Sequence, residues 1–250
     1  MSFKNKVVLV TGASSGIGAA TAILFSKEGA NVAIVGRNES KLKNVSEQCA
    51  AVGHAPLVIK ADVADDDDAR RIVNDTLQKF GKLDVLVNNA GIVQYGTLLN
   101  GKVLESFDKI IAINLRAVVH ITMLAAPHLV KTKGNVVNVS SVAGQVHITP
   151  PFMAYCTSKA GLDHFTRGCA LELSSSGVRV NAISPGPVTT DIVENSGSTA
   201  EFEEVGVTTP LGRVSESEEI ADLILYVASD KSKGITGSVF VTDNGVMIKK

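Results

Sequence analysis

Short aliphatic runs alternate with amphipathic stretches along the whole chain, and this rhythm constrains the fold more than any other feature. The candidate strands are Lys6–Val10, Asn31–Val35, Pro56–Lys60, Leu83–Val87, Asn135–Val139, Arg179–Ile183 and Ser238–Val241. Helices are expected near 16–28, 39–51, 66–80, 103–130, 154–175 and 216–228. Such alternation implies a parallel sheet with helices on both faces. Right-handed crossovers then give a doubly wound sheet whose ligands bind at the carboxyl ends of the strands. Trp is absent and aromatic residues make up only 4% of the chain, so the core must be aliphatic. That suits strands buried on both faces. No linker or repeat interrupts the pattern, so residues 1–250 read as one α/β domain. One stretch from Pro185 to Arg213, rich in Gly, Ser, Thr and Pro, is too long for an idle connection. A substrate lid is expected at about 188–212.

The formal net charge of -1 leaves no basic excess to neutralise phosphates, which argues against nucleic-acid and membrane-surface partners. The first residues lack a signal-peptide pattern, and no apolar run approaches the roughly 18–20 residues of a membrane span. A cytoplasmic enzyme acting on a small molecule is the expectation. Cys49, Cys156 and Cys169 are odd in number and lack metal-ligand spacing, so they read as reduced thiols, and no metal is expected. The acidic run Asp65 to Asp68 reads as a helix cap and first turn, where carboxylates suit the dipole.

The segment Thr11-Gly12-Ala13-Ser14-Ser15-Gly16-Ile17-Gly18 follows the first strand and opens the first helix. Gly12 permits the turn, Gly16 admits a pyrophosphate close to the backbone, and Gly18 lets helix and strand pack tightly. The helix N-terminus offers N–H groups and positive potential to phosphates. After the second strand, Arg37 and Asn38 stand where a dinucleotide fold holds the adenosine ribose, and no carboxylate appears before Glu39. An Asp or Glu there would select NAD, whereas a guanidinium suits a 2′-phosphate, so NADP is expected over NAD. Asp62 and Val63 are placed to meet the adenine ring. Asn89, Ala90 and Gly91 form a wall at the end of the fourth strand, and the adjacent Asn88 is either part of that wall or a bridge between strands.

Tyr155 and Lys159 lie four apart on an expected helix and share a face. A nearby ammonium favours the phenolate, which places a tunable proton donor where a carbonyl oxygen becomes an alkoxide. Ser141 ends the fifth strand, where a hydroxyl can hold the substrate oxygen. Asn114 is a lone amide in an apolar helix. It is either a satisfied interior group or an anchor for a water beside Lys159.

The TGxxxGxG turn, Asn-Asn-Ala-Gly, Ser, Tyr-x-x-x-Lys and a Pro-Gly after the sixth strand occur here in the order of one family. Over essentially its whole length the chain resembles the short-chain dehydrogenase/reductases, with Gly36-Arg37 similar to the NADP-preferring members. The resemblance implies a seven-stranded Rossmann fold and a catalytic tetrad of Asn114, Ser141, Tyr155 and Lys159. Tyr155 would exchange the proton, Ser141 would orient the substrate oxygen, and Lys159 would lower the tyrosine pKa and bond the nicotinamide ribose. Asn114 would hold a water linking Lys159 to solvent. Pro185, Gly186, Val188 and Thr190 match the segment that grips the carboxamide. The C-terminal stretch looks like that of the ketoacyl reductases, which implies a homotetramer or homodimer with the helices near 103–130 and 154–175 at its interfaces.

Two departures bear on substrate. Ser141 and Tyr155 are 14 positions apart, one more than in many relatives, with the extra residue near Thr149-Pro150-Pro151. Ser176 replaces a basic residue typical of carrier-protein reductases, although Lys131 and Lys133 are nearby. The leading expectation is therefore an NADPH-dependent carbonyl reductase for a mostly apolar ketone. A 3-oxoacyl-thioester reductase and an NAD-dependent alcohol or steroid dehydrogenase are the alternatives. Pocket candidates are Gln94, Tyr95, Gln145, His147 and Val193.

Overall fold

The computed structural model describes all residues except Met1, Asn100, Lys102, Ile148, 193–208 and 249–250. Seven strands form one parallel sheet in the order β3-β2-β1-β4-β5-β6-β7. They are β1 (Val7–Thr11), β2 (Asn31–Gly36), β3 (Leu57–Lys60), β4 (Val85–Asn88), β5 (Asn135–Val139), β6 (Arg179–Pro185) and β7 (Val239–Thr242). The helices are α1 (Gly16–Lys27), α2 (Glu39–Val52), α3 (Asp66–Phe80), α4 (Val103–Ile111), α5 (Ala117–Thr132), α6 (Met153–Leu173) and α7 (Ser217–Ala228).

The period-2 alternation of each strand divides the core into two layers. Val8, Val10, Val32 and Ile34 pack against α1, α2 and α7, through Phe25, Leu42 and Ile224. Val7, Leu9, Ala33 and Val35 pack against α3, α5 and α6, through Ile72, Leu129 and Ala170. The strand order reverses at β1 and β4, so a crevice opens beyond their carboxyl ends. The acidic run behaves as a cap: Asp65 Oδ1 accepts from the N–H groups of Asp67 and Asp68, each at 2.9 Å.

The helix expected over 103–130 contains an irregularity. A single π-turn, Ala112–Arg116, separates α4 from α5 and carries Asn114. Contrary to the apolar-run argument, the combined helix Val103–Thr132 is long and apolar enough to cross a membrane by length and composition. Its buried side chains Ile113, Ile121, Ala125 and Leu129 belong to the layer beneath the sheet, which accounts for that composition.

Candidate active site

The glycine turn is fixed by β4. Asn89 Nδ2 donates to the carbonyls of Thr11 and Gly12, both at 3.0 Å, and the Thr11 hydroxyl accepts from the N–H groups of Asn89 and Ala90. Gly12 has φ +65°, a left-handed conformation that side chains disfavour. Gly18 allows α1 to approach the strand: a Cβ there would lie 2.3 Å from the Gly12 carbonyl oxygen. Ser15 caps α1 without a side-chain hydrogen bond, which leaves the first-turn N–H groups for a ligand. This is the cradle that a dinucleotide pyrophosphate requires.

One continuous cleft runs from this turn to Tyr155. Every expected cofactor residue borders it except Gly18, which packs beneath the turn, and Asn38. Asn38 instead caps α2, its side-chain oxygen accepting from Lys41 N–H at 3.0 Å. Arg37 is exposed at the adenosine end, 3.7 Å from an Asp62 carboxylate oxygen. Asp62 Oδ1 also accepts from Ala64 N–H at 3.0 Å. Across the cleft, Asp191 pairs with Lys41 of α2 and accepts from the Ser15 hydroxyl, which holds its carboxyl below the usual range. Sequence reasoning missed this pair because it joins segments 150 residues apart.

At the other end of the cleft, Ser141, Tyr155 and Lys159 converge. Ser141 caps a short 3₁₀ turn, Val142–Gly144, and its hydroxyl hydrogen-bonds the Tyr155 phenol. Lys159 is buried, and its Nζ donates to the Val139 carbonyl at 2.8 Å while standing 5.7 Å from the Tyr155 ring centre. Burial lowers the ammonium pKa to about 8. The expected lowering of the phenol is not what this geometry produces. Burial pushes Tyr155 up to about 12 despite the Ser141 hydrogen bond. Tyr155 is therefore a protonated phenol across the neutral range.

The Asn114 side chain makes a two-point clasp. It accepts from Ile92 N–H at 2.8 Å and donates to the Ile92 carbonyl at 2.9 Å, and also to the Ser158 hydroxyl at 3.2 Å. Its amide thus fixes the segment after Gly91 against α6. Of the two roles open to Asn88, the bridge is the one the structure shows: its amide donates to Thr122 at 3.1 Å and to Asn138 at 2.9 Å.

The expected substrate residues divide. Ser141 borders the cleft. Among the described residues, Gln94, Tyr95, Gln145 and His147 do not. Tyr95 stands one ring behind the wall, edge-on to Phe152 at 5.2 Å, while Gln145 donates to the Ser184 hydroxyl at 3.4 Å. His147 is exposed, and Val193 lies outside the described residues, as does most of the expected lid. The wall beside Tyr155 is built by Val93, Val142, Phe152 and Ile192. Phe152 went unrecognised, although it lies three residues before Tyr155 and within the segment that carries the extra residue. Its ring centre is 6.4 Å from that of Tyr155.

Comparison with known proteins agrees with this fold. The family model described as enoyl-(acyl carrier protein) reductase matches residues 12–247. The 3-oxoacyl-[acyl-carrier-protein] reductase FabG of Thermotoga maritima is 38% identical over 249 residues, covering 99% of this chain and 100% of that protein. Among solved structures, glucose dehydrogenase of Caenorhabditis elegans is 39% identical, with TM-score 0.87 and both chains fully covered. A short-chain dehydrogenase/reductase of unknown function from the same organism is 36% identical with TM-score 0.92, covering 99% of this chain and 97% of that one. The chain therefore belongs to the short-chain dehydrogenase/reductase family of oxidoreductases.

Proposed function

We propose that this protein is an NADPH-dependent reductase of 3-oxoacyl thioesters. From the sequence alone a free apolar ketone ranks above the thioester. The FabG relative, similar along its entire length, supports the thioester instead. The observation that carries the reading is the convergence of Ser141, the protonated Tyr155 and Lys159 at the end of a cleft that begins at a phosphate cradle.

The glycine turn and the α1 N-terminus would hold the pyrophosphate, Arg37 a 2′-phosphate, and Pro185, Gly186, Val188 and Thr190 the carboxamide. The exposed Arg37 and the absence of a carboxylate at 36–38 support NADP over NAD. When bound, the nicotinamide supplies the hydride. Ser141 Oγ orients the substrate carbonyl oxygen, and Tyr155 Oη gives it a proton. Lys159, charged at neutral pH, stabilises the phenolate left behind and bonds the ribose. The Val93, Val142, Phe152 and Ile192 wall suits an acyl chain.

Ser176, Lys131 and Lys133 lie at the amino ends of β5 and β6, on the opposite edge of the sheet from this cleft. Their thin charge therefore does not count against a carrier-bound substrate at this chain's own site. The proposal includes a cytoplasmic homotetramer. Exposed Leu104, Val119 and Met123 on α4–α5 and Leu171 on α6 support apolar interfaces there. Light scattering of the native protein reads the assembly.

The test of function is a rate comparison with NADPH on acetoacetyl-CoA, its carrier-bound form and ethyl acetoacetate. The thioesters should be preferred in kcat/KM. A clear preference for ethyl acetoacetate restores the free-ketone reading.

A further inference from the structure

Beyond the tetrad, α6 buries a second ionisable side chain in line with the first two. Tyr155, Lys159 and Asp163 follow one another at four-residue intervals along one helix face. Asp163 is only 3% exposed, as buried as Lys159 at 4%. The sequence motif gives it no role, and a carboxylate in this position is costly unless it is paired.

Its surroundings show what it touches. The Ser140 hydroxyl hydrogen-bonds the Asp163 carboxylate and lies 3.4 Å from the Lys159 carbonyl. Gly144, at the far end of the turn that starts at Ser141, is pressed on the same spot. A Cβ on Gly144 would lie 3.0 Å from Asp163 Oδ2 and 2.9 Å from the Lys159 carbonyl carbon. The turn that presents Ser141 is thus seated on α6 at both ends. Asp163 Oδ1 has no hydrogen-bond partner among the described residues.

The charges around this pair are few. Tyr155 precedes Lys159 on α6, with Cys156 acting on Tyr155. Arg167 follows Asp163 and acts on it. From β5, Lys159 meets the uncharged Val139 carbonyl. Asp163 is the one neighbour whose charge favours the Lys159 ammonium, against the larger effect of burial.

We propose that Asp163 is a positioning residue of this site: its carboxylate is the counter-charge to the buried Lys159 and the anchor of the Ser140–Gly144 turn that presents Ser141. The proposal rests on the reading of Lys159 as a member of the catalytic set. Asp163 touches neither substrate nor cofactor. It acts by favouring the charged form of Lys159 against the larger effect of burial, and so supports a cation beside the tyrosine as the phenolate forms.

The test is a titration that needs no substrate. Lysines are labelled with ¹³C at Cε, and the Lys159 resonance is assigned by its loss in Lys159→Met. In Asp163→Asn the Lys159 midpoint should fall by about one unit, the low end for removing an opposite charge nearby. In Asp163→Glu it should stay near wild type. Along with it, the alkaline limb of kcat/KM for NADPH-driven reduction of acetoacetyl-CoA should move to lower pH in the Asn variant and return in the Glu variant. An unmoved midpoint overturns the proposal, as does a uniform loss of rate at every pH. If Asp163→Asn does not fold, the reciprocal measurement decides: the Asp163 carboxyl midpoint, read by ¹³Cγ, should rise in Lys159→Met, and an unchanged value refutes the coupling. Tyr155→Phe, assayed in parallel, separates the two readings. Retained turnover there sinks the catalytic reading and leaves the titration to judge the charge coupling between Lys159 and Asp163. Lost turnover with a flat titration sinks the role of Asp163 alone.

Discussion

Gly18→Ala sets two physical effects against each other with opposite signs. By helix propensity alone, alanine inside α1 should stabilise by up to about 1 kcal/mol. Packing argues the reverse. The new Cβ would lie 2.3 Å from the Gly12 carbonyl oxygen and 2.4 Å from Asn89 Nδ2. Ordinary contact is roughly 3.5 Å, so α1 or the turn must move by about 1 Å. Overpacking of this kind costs about 1–3 kcal/mol. The move also strains the two Asn89 bonds to Thr11 and Gly12, each worth about 1 kcal/mol. After subtracting the propensity gain, the net loss is about 2–4 kcal/mol, a fall in Tm of roughly 4–16 °C for a chain of this size. Urea and thermal unfolding measure it, and an NADPH titration by fluorescence should show weaker binding. Adding Asn89→Ala should not rescue stability, because the closer obstacle is backbone. If Gly18→Ala is as stable as the wild type or more so, propensity governs this position and the close-approach argument fails.

Three further outcomes are expected. Tyr155→Phe should lower kcat at least about a hundredfold, the low end for removal of a general acid, with NADPH affinity nearly unchanged; stopped-flow reduction assays and binding titrations check both. Arg37→Ala should weaken NADPH binding by about tenfold, the low end for losing a charged hydrogen bond at an exposed site, and should leave NADH binding almost untouched. For pH, the folded Lys159 pKa of about 8 lies below its ordinary 10.5, so between these values the unfolded chain holds a proton that the fold has released. Stability attributable to this residue therefore rises with pH across that window, by about 3 kcal/mol. Denaturant unfolding from pH 7 to 10.5 should show this rise in wild type relative to Lys159→Met.

The parts of the fold that depend on local pattern were legible. Asn135–Val139 is a continuous apolar run interrupted only by amides, and it forms β5 with those same bounds. Gly-rich turn chemistry located the cradle because Gly12 and Gly18 answer to contacts within a few residues or across one strand pair. What escaped depends on distant partners. The π-turn at Ala112–Arg116 has no signature in a helical period; Asn114 is clasped by Ile92, 22 residues away. The Lys41–Asp191 pair closes across the cleft from opposite halves of the chain. The neighbours of Tyr155 are legible in the sequence. Spacing shows that an ammonium is close, but not the balance between it, the Ser141 hydrogen bond and the partial burial of the phenol.

That balance bears on how the site works. A Tyr raised to about 12 holds its proton across the neutral range, so the cleft as folded presents a phenol rather than a phenolate. Its conjugate base becomes accessible only as charge rearranges around it, and the buried Lys159 is the cation in place to meet that change. The amide lattice keeps this arrangement rigid. Asn88 and Asn138 tie β4 and β5 to α5 and α6 through Thr122 and Thr166, while Asn114 ties the segment after β4 to α6. Buried amides are costly unless bonded. Here nearly all of their donors and acceptors are engaged, and the result is that Ser141, Tyr155 and Lys159, from two different elements, share one frame. The phenol can then stay far from its solution pKa without losing its aim at the carbonyl oxygen.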